Sequence, residues 1–114
     1  MRVGLDGIPL TLVRTGVGHY TFELARALAQ ISPSDQFDLI SPGPPSALSS
    51  DELSSLPQNL DFIQARKRKR WWGLGLPLYL LKAKLALFHG TNYELPLWAN
   101  CIRVVSIHDL SPLL

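Results

Sequence analysis

The sequence predicts an α/β fold in which helices flank a doubly wound, parallel sheet. Short apolar segments alternate along the chain with segments of helical periodicity, which is typical of right-handed βαβ crossovers. The last two apolar segments are continuous, the pattern of strands buried on both faces of a parallel sheet. With 114 residues and 46% apolar side chains, the chain has the size of one domain with its own core.

The first half of the chain contains three predicted strands and one long helix. Each strand is a short apolar segment followed by residues that favour turns, and the three cover residues 2–6, 37–41 and 60–64. Apolar residues at three- and four-residue steps predict a helix over 17–31, and its apolar face consists of Val17, Tyr20, Leu24, Leu28 and Ile31. Pro33 stops this helix. A Pro- and Ser-rich loop before the third strand contains one short helical turn around 51–56.

The second half adds one helix and two strands. A helix is predicted over 76–84, with Pro77 in its first turn, where proline is tolerated. The strands are predicted over 85–89 and 102–108. Five strands with about two strong helices leave part of the sheet uncovered, so we expect the chain to be a piece of a longer protein.

Composition and segment lengths exclude several classes of protein. The longest nearly uncharged apolar run, 71–81, is shorter than the roughly 20 residues of a membrane-spanning helix. The N-terminus lacks the features of a secretory signal. The single cysteine, Cys101, allows no internal disulfide and gives no metal-ligand spacing. We therefore expect a cytoplasmic protein without a metal site.

A run of positive charge is the most local feature of the sequence. It consists of Arg66, Lys67, Arg68, Lys69 and Arg70 and is followed by Trp71 and Trp72. Cations attract anionic lipid and tryptophan favours the membrane interface, so these seven residues predict a peripheral contact with the inner face of an anionic membrane. The alternative is an exposed, solvated loop. We expect no nucleic-acid partner, because the rest of the chain carries six basic and nine acidic side chains.

Two glycines lie between the first strand and the first helix. Gly16, Val17 and Gly18 occupy a position where unpaired N–H groups at a helix start attract anions, and they predict a site for a diphosphate. The alternative is that the glycines only allow a loop to turn into a helix. A dinucleotide fingerprint is not formed, because Thr21 stands where the third glycine would be. A nicotinamide-dependent oxidoreductase is therefore disfavoured.

Histidines follow the last two predicted strands. His89 ends the fourth strand, with Asn92 shortly after it, and His108 is followed by Asp109 at the end of the fifth. In open α/β sheets, ligands bind outside the carboxyl ends of the strands, so the glycine segment and both histidines should face one crevice. Each histidine could instead be structural. No G-x-S-x-G motif indicates a nucleophilic hydrolase.

Four segments, in order and over nearly the whole chain, resemble glycosyltransferase family 4. They are the opening MRVGLDG, the RTGVGHY segment, FHGTN with the following LPL, and VVSIHDL. The resemblance implies a GT-B enzyme, in which two Rossmann-like domains face each other across a cleft. Residues 1–114 would form the N-terminal, acceptor-side domain. The C-terminal domain, which grips the nucleotide sugar and carries an E-x7-E motif, would be absent.

The family resemblance also implies a chemistry. Members are typically retaining and metal-independent hexosyltransferases that use a nucleotide-diphosphate sugar as substrate and no cofactor, with carbohydrate or lipid-linked acceptors. Gly16 and Gly18 would bring backbone amides near the donor diphosphate, His108 would lie beside the transferred sugar, and Asp109 would lie near the sugar or acceptor. The isolated domain would be inactive. The alternative from the residues alone is a non-catalytic α/β interaction module.

Overall fold

The protein contains a five-stranded, all-parallel sheet. The computed structural model describes residues 1–11, 16–65 and 70–107. The strands are β1 (Arg2–Asp6), β2 (Gln36–Ser41), β3 (Leu60–Gln64), β4 (Leu87–Gly90) and β5 (Ile102–Val105). The helices are α1 (Gly16–Ile31), α2 (Ser50–Ser54) and α3 (Leu76–Ala83), with a 3-10 turn at Ile8–Leu10 and a π-helical turn at Trp71–Gly75. His108, Asp109 and the basic residues 66–69 lie outside the described residues.

The strand order is β3-β2-β1-β4-β5. β2 and β3 lie on one side of β1, and β4 and β5 lie on the other, so the strand order reverses between β1 and β4. The register aligns Leu5 of β1 with Leu39 of β2 on one side and with His89 of β4 on the other. Because all neighbouring strands are parallel, their carboxyl ends meet at one edge of the sheet. The predicted parallel α/β sheet is confirmed, and its order is compatible with a Rossmann-like fold.

Each face of the sheet has its own core. On the first face, α1 packs on the sheet through small and aromatic residues such as Phe22, Ala25 and Ala29. On the second face, the π-helical turn and α3 bury Trp71, Leu76 and Leu80. Alternating strand residues serve the two cores: Phe37 and Leu39 of β2 pack into the first core, and Ile40 packs into the second.

The buried face of α1 overlaps the predicted apolar face only in part. Tyr20 and Ile31 are exposed and Leu24 and Leu28 are half-buried against the first core, whereas Ala25 and Ala29 are fully buried against the sheet. Small residues allow the helix to approach the strands closely, so the large residues of the predicted face turn to the side. That side borders β4 and β5, as Leu28 and Val104 line one cavity.

The last two strands are shorter or shifted relative to their prediction. α3 ends where Lys84 adopts a left-handed conformation (φ 54), and Leu85 then packs into the second core before β4 begins at Leu87. Within the described residues, β5 pairs with β4 alone and forms the edge of the sheet. The prediction that β5 is buried on both faces is wrong: Ile102 is 66% exposed and Val104 40% exposed. Among the described elements, α1 packs mainly on β2 and β3, and Val104 of β5 lines the open cavity beside it on the first face.

None of the described helices has both the length and the apolar character needed to cross a bilayer.

At the amino edge of the sheet, a charged pair anchors the central strands. The Arg2 Nε atom donates to Asp38 Oδ2 at 2.6 Å, and Gln36 Nε2 donates to the other carboxylate oxygen at 2.9 Å. Asp38 is buried, and these two donors satisfy its carboxylate.

Candidate functional site

The carboxyl edge of the sheet collects polar groups from β1, β4 and the start of α1. It includes the point between β1 and β4 where the strand order reverses, which is where open α/β sheets form a ligand crevice. Asp6 ends β1, and His89 and Gly90 end β4. α1, which follows β1, starts at the same edge because it runs back across the sheet.

The glycine segment forms the first turn of α1. Gly16 is the first residue of the helix, one position earlier than predicted, and Gly18 is the third. The N–H groups of a first turn have no partner within the helix and carry the positive end of its dipole. A Cβ atom added to Gly16 would meet no atom within 4 Å, and the residue does not have a positive φ. Within the described structure, neither space nor backbone conformation requires glycine there.

Three side chains at this edge are joined by hydrogen bonds, and we call them the hydroxyl–imidazole cluster: Tyr20, His89 and Ser106. His89 Nε2 lies 2.6 Å from Ser106 Oγ, and Ser106 Oγ lies 2.9 Å from the Tyr20 hydroxyl. The cluster thereby ties the first turns of α1 to the ends of β4 and β5. Hydroxyl and imidazole groups both donate and accept hydrogen bonds, which suits them to sugar hydroxyls and phosphate oxygens.

Backbone hydrogen bonds hold Ser106 at its position. Its N–H donates to the carbonyl of Gly90 at 2.8 Å, and its carbonyl accepts from the N–H of Tyr93 at 3.0 Å. Ser106 and Tyr20 were not predicted as site residues. Their position in the sequence does offer a signal, because Ser106 lies two residues before His108 and Tyr20 lies one helical turn after Gly16.

Asp6 is the buried carboxyl group of the site. It is 2% exposed, its Oδ1 atom accepts from the N–H of Ile8 at 2.9 Å, and its carbonyl accepts from Thr91 Oγ1 at 3.0 Å. Burial raises the pKa of Asp6 to about 7, the hydrogen bond from Ile8 opposes this rise, and the charge of Glu94 adds to it. Near neutral pH, Asp6 can therefore either donate or accept a proton. The sequence analysis did not identify it, since burial of a strand-end carboxyl cannot be read from local pattern.

The two buried aspartates, Asp6 and Asp38, differ in whether a cation neutralises them. Asp38, at the amino half of β2, is paired with Arg2. Asp6 has no ion-pair partner among the described residues. A buried acid without a cation, at the carboxyl end of a strand, is a candidate functional group.

The remaining predicted site residues are dispersed. Val17 is half-buried in the first turn of α1, and Asn92 is exposed two residues after β4. Trp71 is buried in the second core, so it does not belong to the surface predicted for membrane contact, and Trp72 is half-buried beside it. Arg70 is exposed. His108, Asp109 and residues 66–69 carry predictions that lie outside the described part of the chain.

A cavity of about 340 Å³ lies on the first face beside α1. Most of its lining is apolar, including Val3, Leu87 and Val104, and His89 is its link to the carboxyl edge. This cavity marks the part of the first face that α1 leaves open. Within the described ranges, no group of three or more His, Cys, Asp or Glu side chains is arranged to hold a metal ion.

Comparisons of the chain with protein-family models, curated proteins and solved structures found no match.

Proposed function

We propose that this chain is the N-terminal, acceptor-side domain of a retaining, nucleotide-sugar-dependent glycosyltransferase of GT-B architecture. One observation carries the proposal: the first turn of α1, Asp6 and the hydroxyl–imidazole cluster gather at the carboxyl edge where the strand order reverses. The resemblance of four sequence segments to family 4 supplies the reaction class. The free cysteine, Cys101, is consistent with a cytoplasmic location, which we include in the proposal.

In this proposal, some groups at the carboxyl edge contact the donor and others contact the sugar or the acceptor. Transfer of the sugar develops negative charge on the leaving diphosphate, and the positive end of the α1 dipole at Gly16 is preorganised to stabilise it. His89 and its two hydroxyl partners would hydrogen-bond the sugar or the acceptor. The resemblance assigns His108 and Asp109 to the same centre. The donor-binding domain supplies the remaining contacts, so the chain alone should be inactive.

Titration of the ¹⁵N-labelled chain with nucleotide-diphosphate sugars tests the location of the site. We expect weak binding, with amide shifts concentrated at Gly18, Tyr20, His89 and Ser106. Shifts confined to the amino edge around Arg2 would refute the proposed site. Micromolar affinity for the isolated chain would contradict the division of labour between the two domains.

Substitution of Gly16 tests whether its backbone approaches the ligand. Because a Cβ has room at this position, Gly16→Ala should leave the free energy of unfolding unchanged or slightly higher. Nucleotide-sugar binding should weaken about tenfold or more, as an added methyl group separates the amide from the diphosphate. Gly43→Ala is the matched control, since its Cβ would lie an ordinary 3.6 Å from Thr11. Equal binding by the two variants would remove Gly16 from the site.

Catalysis is tested by joining the chain to the donor-binding domain of a family 4 enzyme. A product-detected screen over several nucleotide sugars should show transfer by the fusion and none by the chain alone. His89→Ala in the fusion should reduce turnover without unfolding the protein. A fusion that binds donor but transfers no sugar would favour the interaction module, and turnover unaffected by His89→Ala would remove His89 from the site.

A further inference from the structure

Positive charge is concentrated in one stretch of the chain. Residues 66–103 contain eight of the eleven basic side chains and only one of the nine acidic ones, Glu94. The described part of this stretch includes the π-helical turn, α3 and the connection from β4 to β5, which pack on the second face. Among the described residues of these segments, Arg70, Lys82, Lys84 and Arg103 outnumber the single acidic side chain, Glu94. The described part of this layer is therefore cationic.

Exposed apolar side chains lie in the same layer, and we call them the second-face patch: Leu74, Leu97 and Trp98. They are 44%, 73% and 41% exposed. Large apolar side chains that stand together in water indicate an interaction surface, whereas single exposed ones do not.

Hydrogen bonds between two loops build this patch. The N–H of Leu97 donates to the carbonyl of Trp72 at 2.8 Å, and Trp98 Nε1 donates to the carbonyl of Gly73 at 2.9 Å. A Cβ atom on Gly73 would lie 3.3 Å from Leu97 Cδ1, so the two loops are in close contact. The exposed side chains are thus presented by a fixed framework that leaves the indole ring and the two leucines at the surface.

Two arginines flank the patch. The carbonyl of Arg70 accepts from the N–H of Leu74 at 2.7 Å, so Arg70 begins the turn that carries Leu74. Arg103 Nη1 donates to the carbonyl of Pro96 at 2.9 Å, beside Leu97. In the sequence, four more cations directly precede Arg70. The surface combines aliphatic side chains, an indole and guanidinium groups.

We propose that the second-face patch docks on an anionic lipid bilayer. Leu74, Leu97 and Trp98 enter the headgroup region, and Arg70 and Arg103 lie against lipid phosphates. Charge complementarity selects the anionic surface. The exposed leucines select lipid over nucleic acid, because an aliphatic side chain gains free energy from hydrocarbon and not from a solvated phosphate backbone. Trp98 replaces Trp71 as the interfacial tryptophan, since Trp71 is buried.

Vesicle co-sedimentation of the chain, without any sugar donor, tests the docking surface independently of the proposed transferase activity. The wild-type chain should bind vesicles that contain phosphatidylserine, bind weakly to phosphatidylcholine alone, and dissociate in high salt. The double variant Leu74→Asn, Leu97→Asn should bind at least about tenfold more weakly. Arg70→Gln should bind about fivefold more weakly.

Ile31→Asn is the matched control, because Ile31 is 76% exposed but lies at the end of α1 on the first face. It should bind vesicles as the wild type does, and circular dichroism should show that all variants are folded. Three results would each overturn the proposal: binding that ignores lipid charge, binding unaffected by the double leucine variant, or binding of an oligonucleotide in place of the vesicles.

Discussion

Burial is the main cause of the raised pKa of Asp6. Its pKa of about 7 in the folded chain exceeds the value of 3.8 for an unperturbed aspartate, so folding favours the neutral carboxyl. The folded state binds more protons than the unfolded state between these two values. The contribution of Asp6 to the free energy of unfolding is therefore highest below about pH 4, falls as the pH rises to about 7, and is constant above it. A shift of about three units corresponds to a loss of about 4 kcal/mol.

Replacement of Asp6 by asparagine should remove this pH dependence. The asparagine oxygen can still accept from the N–H of Ile8, but the side chain does not titrate. Relative to wild type, Asp6→Asn should gain up to about 4 kcal/mol of stability between about pH 4 and about pH 8, measured by urea unfolding. Parallel pH profiles for wild type and Asp6→Asn would show that Asp6 ionises normally in the fold.

At the scale of elements, the end of β4 depends on a close backbone approach. The connection after β4 folds back so tightly that a Cβ atom on Gly90 would overlap the carbonyl oxygen of Glu94, a rigid backbone atom. Gly90→Ala should therefore destabilise the chain by about 1–3 kcal/mol. Urea unfolding should show a change near zero for the control Gly43→Ala, where the methyl group has space. A stable Gly90→Ala protein would mean that the segment around Glu94 can move away without cost.

Local pattern predicted those elements whose limits are set by local chemistry. The bounds of β1 and β3 agree with the sequence prediction, and α1 and β2 begin one residue earlier. The limits of β4 depend on Lys84 adopting a left-handed conformation and on Leu85 packing into the second core, which no periodicity reveals. The π-helical turn at Trp71–Gly75 was not predicted either, because no local pattern distinguishes it from the apolar run around it.

Of the candidate site, too, only the part that follows from local pattern and topology could be predicted from the sequence. The position of His89 at a strand end follows from the parallel topology, which the sequence predicted. The roles of Tyr20 and Ser106 arise from hydrogen bonds that join residues 86 positions apart in the chain. The buried state of Asp6 depends on packing around the end of β1. Contacts between distant segments, and not local propensity, determine these three residues.

At the scale of the whole molecule, the first face is covered unevenly. α1 lies over β1 to β3, while Ile102, Val104 and Ile107 are exposed at and after the edge strand β5. Ile31 extends the exposed apolar surface along α1. An edge strand with unpaired backbone groups and apolar side chains is a template for pairing with another chain. The exposed surface on this face is separate from the second-face patch.

We expect the isolated chain to self-associate through β5 at high concentration. Val104→Lys should suppress association, because a charge on an edge strand opposes edge-to-edge pairing. Sedimentation equilibrium should show a monomer for this variant and a concentration-dependent dimer for wild type. Leu53→Lys, an exposed position on α2, should associate as wild type does. Vesicle binding should be retained by Val104→Lys, because the lipid-facing leucines lie on the opposite face. Loss of both properties in this variant would mean that dimerisation, and not the second-face patch, creates the affinity for membranes.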